Sequence, residues 1–285
     1  MTPDFLVIGA MKAGTTTLYY DLATHPDIFL PILKEPELLV RDLDLDQIRD
    51  EYAALFRSAR PDQLKGEAST AYTKRPTHDG AAAKARALCG PNLKLIYMRR
   101  DPIERMLSQY QHERQRGTIA CGFAEAIRRY PRLLDYSRYD WQIAPWIEAF
   151  GPASLLQLEL DDYAARRVET VQRVVRFIGA DPARLPPIKL DLISNRADDP
   201  KTIRNPLLRS LIYSSFYQRA VRGFIPTHLR ERLRRTLLPA PEAAPVELDP
   251  DTLHFVREQL SQPGPGLDRS QPSPLPQPSA GNSTR

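Results

Sequence analysis

The stretch that most restricts this chain is FLVIGAMKAGTTTLYYDL, Phe5 to Leu22. Phe5–Ile8 is an unbroken apolar run, the pattern of a central parallel strand covered on both faces. Gly9 and Gly14 bracket a short loop, and Thr15, Thr16 and Thr17 open a helix. That helix must end by His25-Pro26, because proline disfavours helix in the residue before it. A glycine loop between a buried strand and a helix aims backbone N–H groups and the positive end of the helix dipole at an anion. The glycines let the backbone come close, the threonines add hydroxyls, and Lys12 brings a mobile cation inside the loop. The bland alternative is a strand–turn–helix corner with a solvated lysine, and a pattern this complete argues against it.

The position of the lysine bears on which anion is held. A nucleotide-hydrolysing loop reads G-x-x-x-x-G-K-[ST], with the lysine after the second glycine and the hydroxyl on Mg²⁺. Here Thr15 follows Gly14, and no apolar strand ends in a clean acidic residue that would complete a magnesium site. The strand LKLIYM ends instead in Arg99-Arg100 before Asp101. Arg100 at the strand end and Ser108 on the following helix form a second candidate anion clamp. In that helix Asp101 is expected to cap, Pro102 to occupy the first turn and Glu104 to complete a capping box. Ile103, Met106, Leu107 and Tyr110 form its buried stripe, Gly117 stops it, and Arg105, Ser108 and His112 fall on the opposite, solvent-facing side.

Along the rest of the chain, strands are expected at Leu64–Ala68, Leu93–Met98 and Ser154–Leu158. Helices are expected at Leu45–Ser58, Gly80–Leu88, Tyr136–Phe150, Val168–Ile178, Pro206–Ala220 and Thr227–Leu238. Strands alternating with helices argue for a doubly wound parallel sheet. Residues 1–260 read as a single domain, and the Pro/Ser/Gly-rich text from about Ser261 to Arg285 as a disordered tail.

Two stretches together, MKAGTTTL and RRDPIERMLSQY, resemble the sulfotransferases that use PAPS (3′-phosphoadenosine 5′-phosphosulfate), above all the bacterial and heparan-sulfate-type carbohydrate branch. The fragments HPDIFLPILKEPELL, KGEASTAY, LLQLELDDY and VVRFIGA extend the resemblance over roughly Asp4 to Ala180. It implies a P-loop-NTPase-like fold, three layers α/β/α around a central parallel sheet. It further implies that Lys12, Ala13, Gly14, Thr15, Thr16 and Thr17 cradle the 5′-phosphosulfate, while Arg100 and Ser108 bind the 3′-phosphate. A sulfuryl group carries less charge than a phosphoryl group, so no metal is expected. On that reading Lys12 neutralises charge developing on the departing phosphate, with PAP, the desulfated nucleotide, as product.

An acceptor hydroxyl must lose a proton, so a base is expected near the loop. Glu35 matches the glutamate that opens a Glu-x-His-Phe-Phe-like stretch in the carbohydrate branch. Glu37 stands where that stretch has histidine, and Leu38 and Leu39 replace its aromatics. Glu67 is the other candidate, either as base or as structural partner of a loop cation. The branch often has lysine in the next position, where this chain has Ala68, and Lys65 or Lys74 could approach the same region. His25 reads as a helix terminator, and Tyr72, Tyr136, Tyr139 and Trp141 as candidate cleft aromatics. The expected acceptor is a hydroxyl on a carbohydrate or glycolipid. A basic helix at 226–239 offers peripheral contact with an anionic surface, and Arg196, Lys201 and Arg204 are expected over the nucleotide.

The net charge of +5 is too diffuse to argue for nucleic acid and suits an anionic ligand. Cys89 and Cys121 form neither a disulfide framework nor a metal motif, and no apolar run approaches the roughly 20 residues needed to cross a bilayer. A strand begins within a few residues of Met1, so no signal peptide is expected and the compartment read from these features is the cytoplasm. The readings held against sulfuryl transfer are a nucleoside-phosphate kinase and a non-catalytic nucleotide- or glycan-binding protein. The latter is suggested by the proline-rich text that follows LDPDTLHFVREQL, where the family commonly returns a segment to the nucleotide.

Overall fold

The computed structural model describes residues 1–188, 246, 248–262 and 264. Its centre is a five-stranded sheet in the order β2-β3-β1-β4-β5. The strands are β1 (Phe5–Gly9), β2 (Ile28–Phe29), β3 (Leu64–Ala68), β4 (Lys94–Arg99) and β5 (Leu155–Glu159), and every pairing is parallel. Every residue of β1 is buried, as an apolar run between two neighbours must be once helices cover both faces. Leu6 lies opposite Glu67 on one side and Leu95 on the other, and the register to β4 shifts between Val7 and Gly9.

One helical layer contains α1 (Thr15–Leu22) and α9 (Arg167–Ile178) in mutual contact; the other contains α2 (Leu45–Leu55), α3 (Ala81–Cys89) and α7 (Tyr139–Phe150). The short helix α8 (Leu160–Ala165) leads from β5 into α9. The helix after the glycine loop is stapled to α9 by charge. Arg167 forks onto Asp21 at 2.9 and 2.7 Å, and the Tyr163 hydroxyl donates to the same carboxylate. Asp21 and Arg167 are both nearly buried, a setting in which such a pair depends on its bidentate geometry.

A second apolar cluster lies outside the sheet. There α4 (Pro102–Arg116), α5 (Phe123–Arg129) and α6 (Arg132–Asp135) bury Met106, Tyr110, Phe123, Ile127 and Leu133 together. The helix α10 (Pro250–Ser261) adds Val256 to that cluster. The helix expected over Tyr136–Phe150 is shortened at its start. Tyr136, Ser137 and Arg138 form the break between α6 and α7, and the Ser137 hydroxyl there receives the Arg105 guanidinium at 2.6 Å. The expected helices at Pro206–Ala220 and Thr227–Leu238, and most of the expected tail, lie outside the described residues.

Gly9 is where the sheet meets the loop. A Cβ there would stand 2.1 Å from Thr73 Oγ1 and 2.7 Å from the Tyr97 ring. Neither neighbour can retreat, since Tyr97 is fully buried and the Thr73 hydroxyl is committed to Ile8 O at 2.7 Å. Gly9→Ala is expected to cost about 1–3 kcal/mol by overpacking, read as a lower urea midpoint at unchanged slope.

Candidate functional site

The loop between β1 and α1 turns over the C-terminal edge of the sheet, where open α/β sheets place their ligands. Its start is pinned to β4 by the Ala10 N–H, which donates to Met98 O at 2.8 Å. Gly14 caps α1 at φ 86°, and a Cβ there would come within 2.7 Å of Leu160 Cδ1. Lys12 is itself left-handed at φ 67°. Its half-buried side chain has a lowered pKa because burial disfavours the charged amine and because Arg100 and Arg116 repel it. Ala13, Thr15 and Thr17 are buried, and Gly14 and Thr16 are half-buried.

The strand β4 delivers Arg100 to the same edge. Asp101 caps α4 by accepting the Glu104 N–H at 2.9 Å. The reciprocal half of the expected capping box does not form, because Glu104 turns to Arg100, whose Nε and Nη2 donate to it at 2.9 and 2.7 Å. Ser108 is half-buried two turns along α4. Arg105 is not on a solvated face as expected but fully buried, donating to Ser137 Oγ, Gln109 Oε1 and Leu133 O. The reason is tertiary: α4 is enclosed on a second side by α6 and the 136–138 break, so Arg105 and Gln109 are buried as deeply as Met106 and Tyr110, while Ile103 and Leu107 are only half-buried. The polar row continues as Gln109 Nε2 donates to Glu113 Oε1 at 2.8 Å and Glu113 pairs with Arg132.

His112, expected to be solvated, is half-buried beside Lys12, and its pKa is pushed down to about 4. Burial is the main cause, with Lys12 and Arg116 adding to it and Glu113 opposing. It is therefore a neutral imidazole near pH 7. A cleft of about 290 Å³ opens here, lined by Met11, Lys74, His112, Arg116, Arg132 and Tyr136 among others. Lys74 is the approaching lysine of the two weighed; burial lowers its pKa, while Glu35 and Glu37 pull it back up. Lys65 lies near the start of β3 and pairs with Asp4.

The segment bearing Glu35 runs along the other side of this edge. Glu35 and Glu37 sit at φ 58° and 55°. With Lys12 they are the non-glycine residues at positive φ among those described, a conformation that persists where surrounding contacts over-determine it. Glu35 is half-buried and pairs with Lys34 at 2.7 Å. Leu38 and Leu39 face the core, so they do not line a pocket as aromatics in their place would. Glu67 is not a partner of any loop cation. It is fully buried and accepts hydroxyl protons from Tyr52 (3.0 Å), Ser69 (2.7 Å) and Tyr72. Burial raises its pKa to about 7, against the pull of those hydrogen bonds.

Residues 2–210 match the family model described as "Sulfotransferase domain". The chain belongs to the sulfotransferase domain family. Human carbohydrate sulfotransferase 15 is 25% identical over 247 residues, covering 63% of this chain and 44% of that protein. Human bifunctional heparan sulfate N-deacetylase/N-sulfotransferase 3 is 27% identical over 199 residues, covering 63% of this chain and 22% of its own length. The chain thus spans less than half the length of these curated relatives. A sulfotransferase from Alicyclobacillus acidocaldarius shares the fold, with a TM-score of 0.57 and 24% identity over 69% of this chain and 88% of that one.

Several residues that line this cleft escaped sequence reading. Nothing in the sequence singles out Arg116 or Arg132; the packing of α4 against α6 sets them around one cleft. Of the aromatics weighed, Tyr136 lines that cleft. Tyr72 is buried on Glu67, Trp141 is buried under the Arg75 guanidinium, and the Tyr139 hydroxyl donates to Arg100 O at 2.7 Å. His25 is structural, its ring bonding Asp181 O and accepting the Asp27 N–H. Arg196, Lys201 and Arg204 lie outside the described residues. Among those described, no helix is long and apolar enough to cross a membrane.

Glu67 and His112 make opposite contributions to stability. The pKa of Glu67 is higher folded (about 7) than the ordinary 4.5, so the native state holds the extra proton and stability falls as pH rises between those values. For His112 the folded value of about 4 lies below the ordinary 6.5, so stability rises with pH across that window. In Glu67→Gln only the first contribution vanishes. The stability of the variant minus that of wild type should therefore climb from pH 4.5 to pH 7 by on the order of 3 kcal/mol, measured by urea unfolding at each pH.

Proposed function

We propose that this chain moves a sulfuryl group from PAPS to a hydroxyl acceptor. The observation that carries it is the convergence of Lys12, Arg100 and Arg116 at the mouth of the glycine loop, close enough for both arginines to depress the lysine's pKa. Such a cluster is relieved by an anion seated among its members. The available donors fit a nucleotide bearing phosphates at two places. In the Lys12–Thr17 loop, Gly14, Thr15 and Thr16 bring backbone N–H groups, the threonines bring hydroxyls and Lys12 an ammonium, while Ala13 and Thr17 shape the loop through N–H groups that donate to Ala10 O and Gly14 O; Arg100 and Ser108 bring a guanidinium and a hydroxyl beside it.

The transfer forms a bond from the acceptor oxygen to sulfur and breaks the bond from sulfur to the bridging phosphate oxygen. Lys12 supplies positive charge to the departing oxygen, and PAP leaves. Glu35 takes the acceptor's proton, since it is a half-buried carboxylate held at the same edge of the sheet as the loop. The cleft lined by Lys74, Arg116, Arg132 and Tyr136 is the acceptor side. Its cationic lining suits an anionic glycan or glycolipid, a reading that the carbohydrate and heparan sulfate relatives support.

Purified protein mixed with sulfur-labelled PAPS and a panel of glycans should yield a labelled acceptor, and calorimetry should register PAP. Arg100→Ala is expected to weaken PAP binding by about 10- to 100-fold. Lys12→Ala should lower kcat by about 100- to 1000-fold, and Glu35→Gln by about 100-fold or more. Absence of PAP binding by the wild-type protein would overturn the proposal, and Mg²⁺-dependent ATP turnover that survives loss of Arg100 would favour a kinase.

A further inference from the structure

Glu67 is fully buried in β3 and is not among the residues that line the cleft, yet its hydrogen bonds lead to the segment that carries Glu35. That segment is fastened to residues 68–72 by three backbone N–H groups. Glu35 donates to Ala68 O at 3.0 Å, Glu37 to Ser69 Oγ at 3.0 Å, and Leu39 to the Tyr72 hydroxyl oxygen at 3.4 Å. Two of these three acceptors are hydroxyls, which rotate and can donate or accept. A hydroxyl offers a steady lone pair only when its own proton is committed elsewhere. Glu67 commits both protons, Ser69 O–H to Oε2 at 2.7 Å and Tyr72 O–H to Oε1, and Tyr52 from α2 braces Oε1 at 3.0 Å.

On the reading of Glu35 as base, we propose that Glu67 is a positioning residue, a buried acceptor that sets Ser69 and Tyr72 so that they hold the Glu35–Leu39 segment with Glu35 and Glu37 left-handed. The need for a clamp is visible in the backbone. Glu35 and Glu37 are placed where non-glycine residues stay only under constraint, and a chain released there would relax toward ordinary dihedrals and swing the Glu35 carboxylate away from the loop. When ionised, above about pH 7, the carboxylate suits the post because both of its oxygens then accept and neither competes to donate. Glutamine keeps one such oxygen and replaces the other with a donor, and alanine removes both. A cluster serving stability alone would be matched or bettered by apolar groups of the same volume, so its hydrogen-bond directions are the property to test.

The test uses the full chain and two independent readouts. The first is amide hydrogen exchange at Glu37 and Leu39 without substrate, which does not depend on Glu35 being the base. In Glu67→Ala both amides should exchange about tenfold faster or more, with the α1 amides unchanged. Glu67→Gln should release one of the two amides and keep the other protected, because its single acceptor oxygen can face Tyr72 or Ser69 but not both, which wild-type Glu67 meets with different oxygens. Ser69→Ala should release Glu37 and leave Leu39 protected, and Tyr72→Phe should do the reverse. These milder variants carry the test if Glu67→Ala does not fold.

The second readout is transfer. Glu67→Ala and Ser69→Ala should lower kcat by about 10- to 100-fold at unchanged PAP affinity, and the double variant should be no slower than Glu67→Ala alone. Wild-type exchange at both amides in the folded variants, or losses in kcat that add in the double variant, would overturn the positioning role. A wild-type protein without transfer activity would overturn the sulfuryl-transfer reading instead, and the exchange experiment would still decide whether the clamp exists.

Discussion

The mouth of the glycine loop depends on a contact between a residue without a side chain and two groups that cannot move. Gly9 lies flat between the Thr73 hydroxyl and the Tyr97 ring, and Thr73 closes the contact by donating to Ile8 O. That contact draws the turn after β3 onto the end of β1. Trp146 holds the turn from behind by donating its indole N–H to Tyr72 O at 3.3 Å. Lys74 follows directly on this turn, so it reaches the cleft beside the residues of α4. Close packing transmits position efficiently, because a buried ring and a committed hydroxyl leave no slack to absorb a displaced neighbour.

The electrostatics of the edge follow from that placement. Lys12, Arg100, Arg116 and Lys74 are brought near one another, and the neighbouring acids are engaged in part elsewhere: Glu104 on Arg100, Glu113 on Arg132 and Glu35 on Lys34, with Glu35 and Glu37 also acting on Lys74. Burial opposes ionisation of Glu113, but hydrogen bonds from Arg132 and Gln109 outweigh it and hold its pKa below the usual carboxylate value. Burial, with the neighbouring cations adding to it, keeps His112 neutral. Charges arranged in this way before any ligand arrives need no reorganisation when one binds, and that is the condition under which fixed charge contributes most to binding and to chemistry.

Local elements were legible where the signal is short-range. Leu64–Ala68 forms the strand its text announces, Gly117 stops α4 in a left-handed turn, and Asp101 caps the same helix. Errors arose where a residue's surroundings come from distant segments. Periodicity along α4 assigns Arg105 to water because it counts apolar side chains on one helix, whereas α6 and Ser137 supply a second covered face. Glu104 reads as half of a capping box until Arg100, between β4 and the N-cap of α4, offers a stronger charge-assisted bond. Glu67 reads as a carboxylate near a loop; that it is fully buried among hydroxyls depends on how Ser69 and Tyr72 turn back onto it and on Tyr52, which comes from a helix earlier in the chain.

By itself the sequence determined the strand–loop–helix corner, the strands β1, β3, β4 and β5 with the helices α1 to α4 and α9, and the presence of Lys12, Arg100 and Glu35 in segments of recognisable type, because these follow from hydrophobic period, glycine and proline placement and capping over a few residues; the short elements β2, α5, α6 and α8 carry no such signal. Only the tertiary structure decided which charges meet, which carboxylate is buried, which histidine is neutral and which backbone is held left-handed. Those properties are set by desolvation and by neighbours tens of residues away, and Coulomb and packing energies depend on distance in space rather than along the chain.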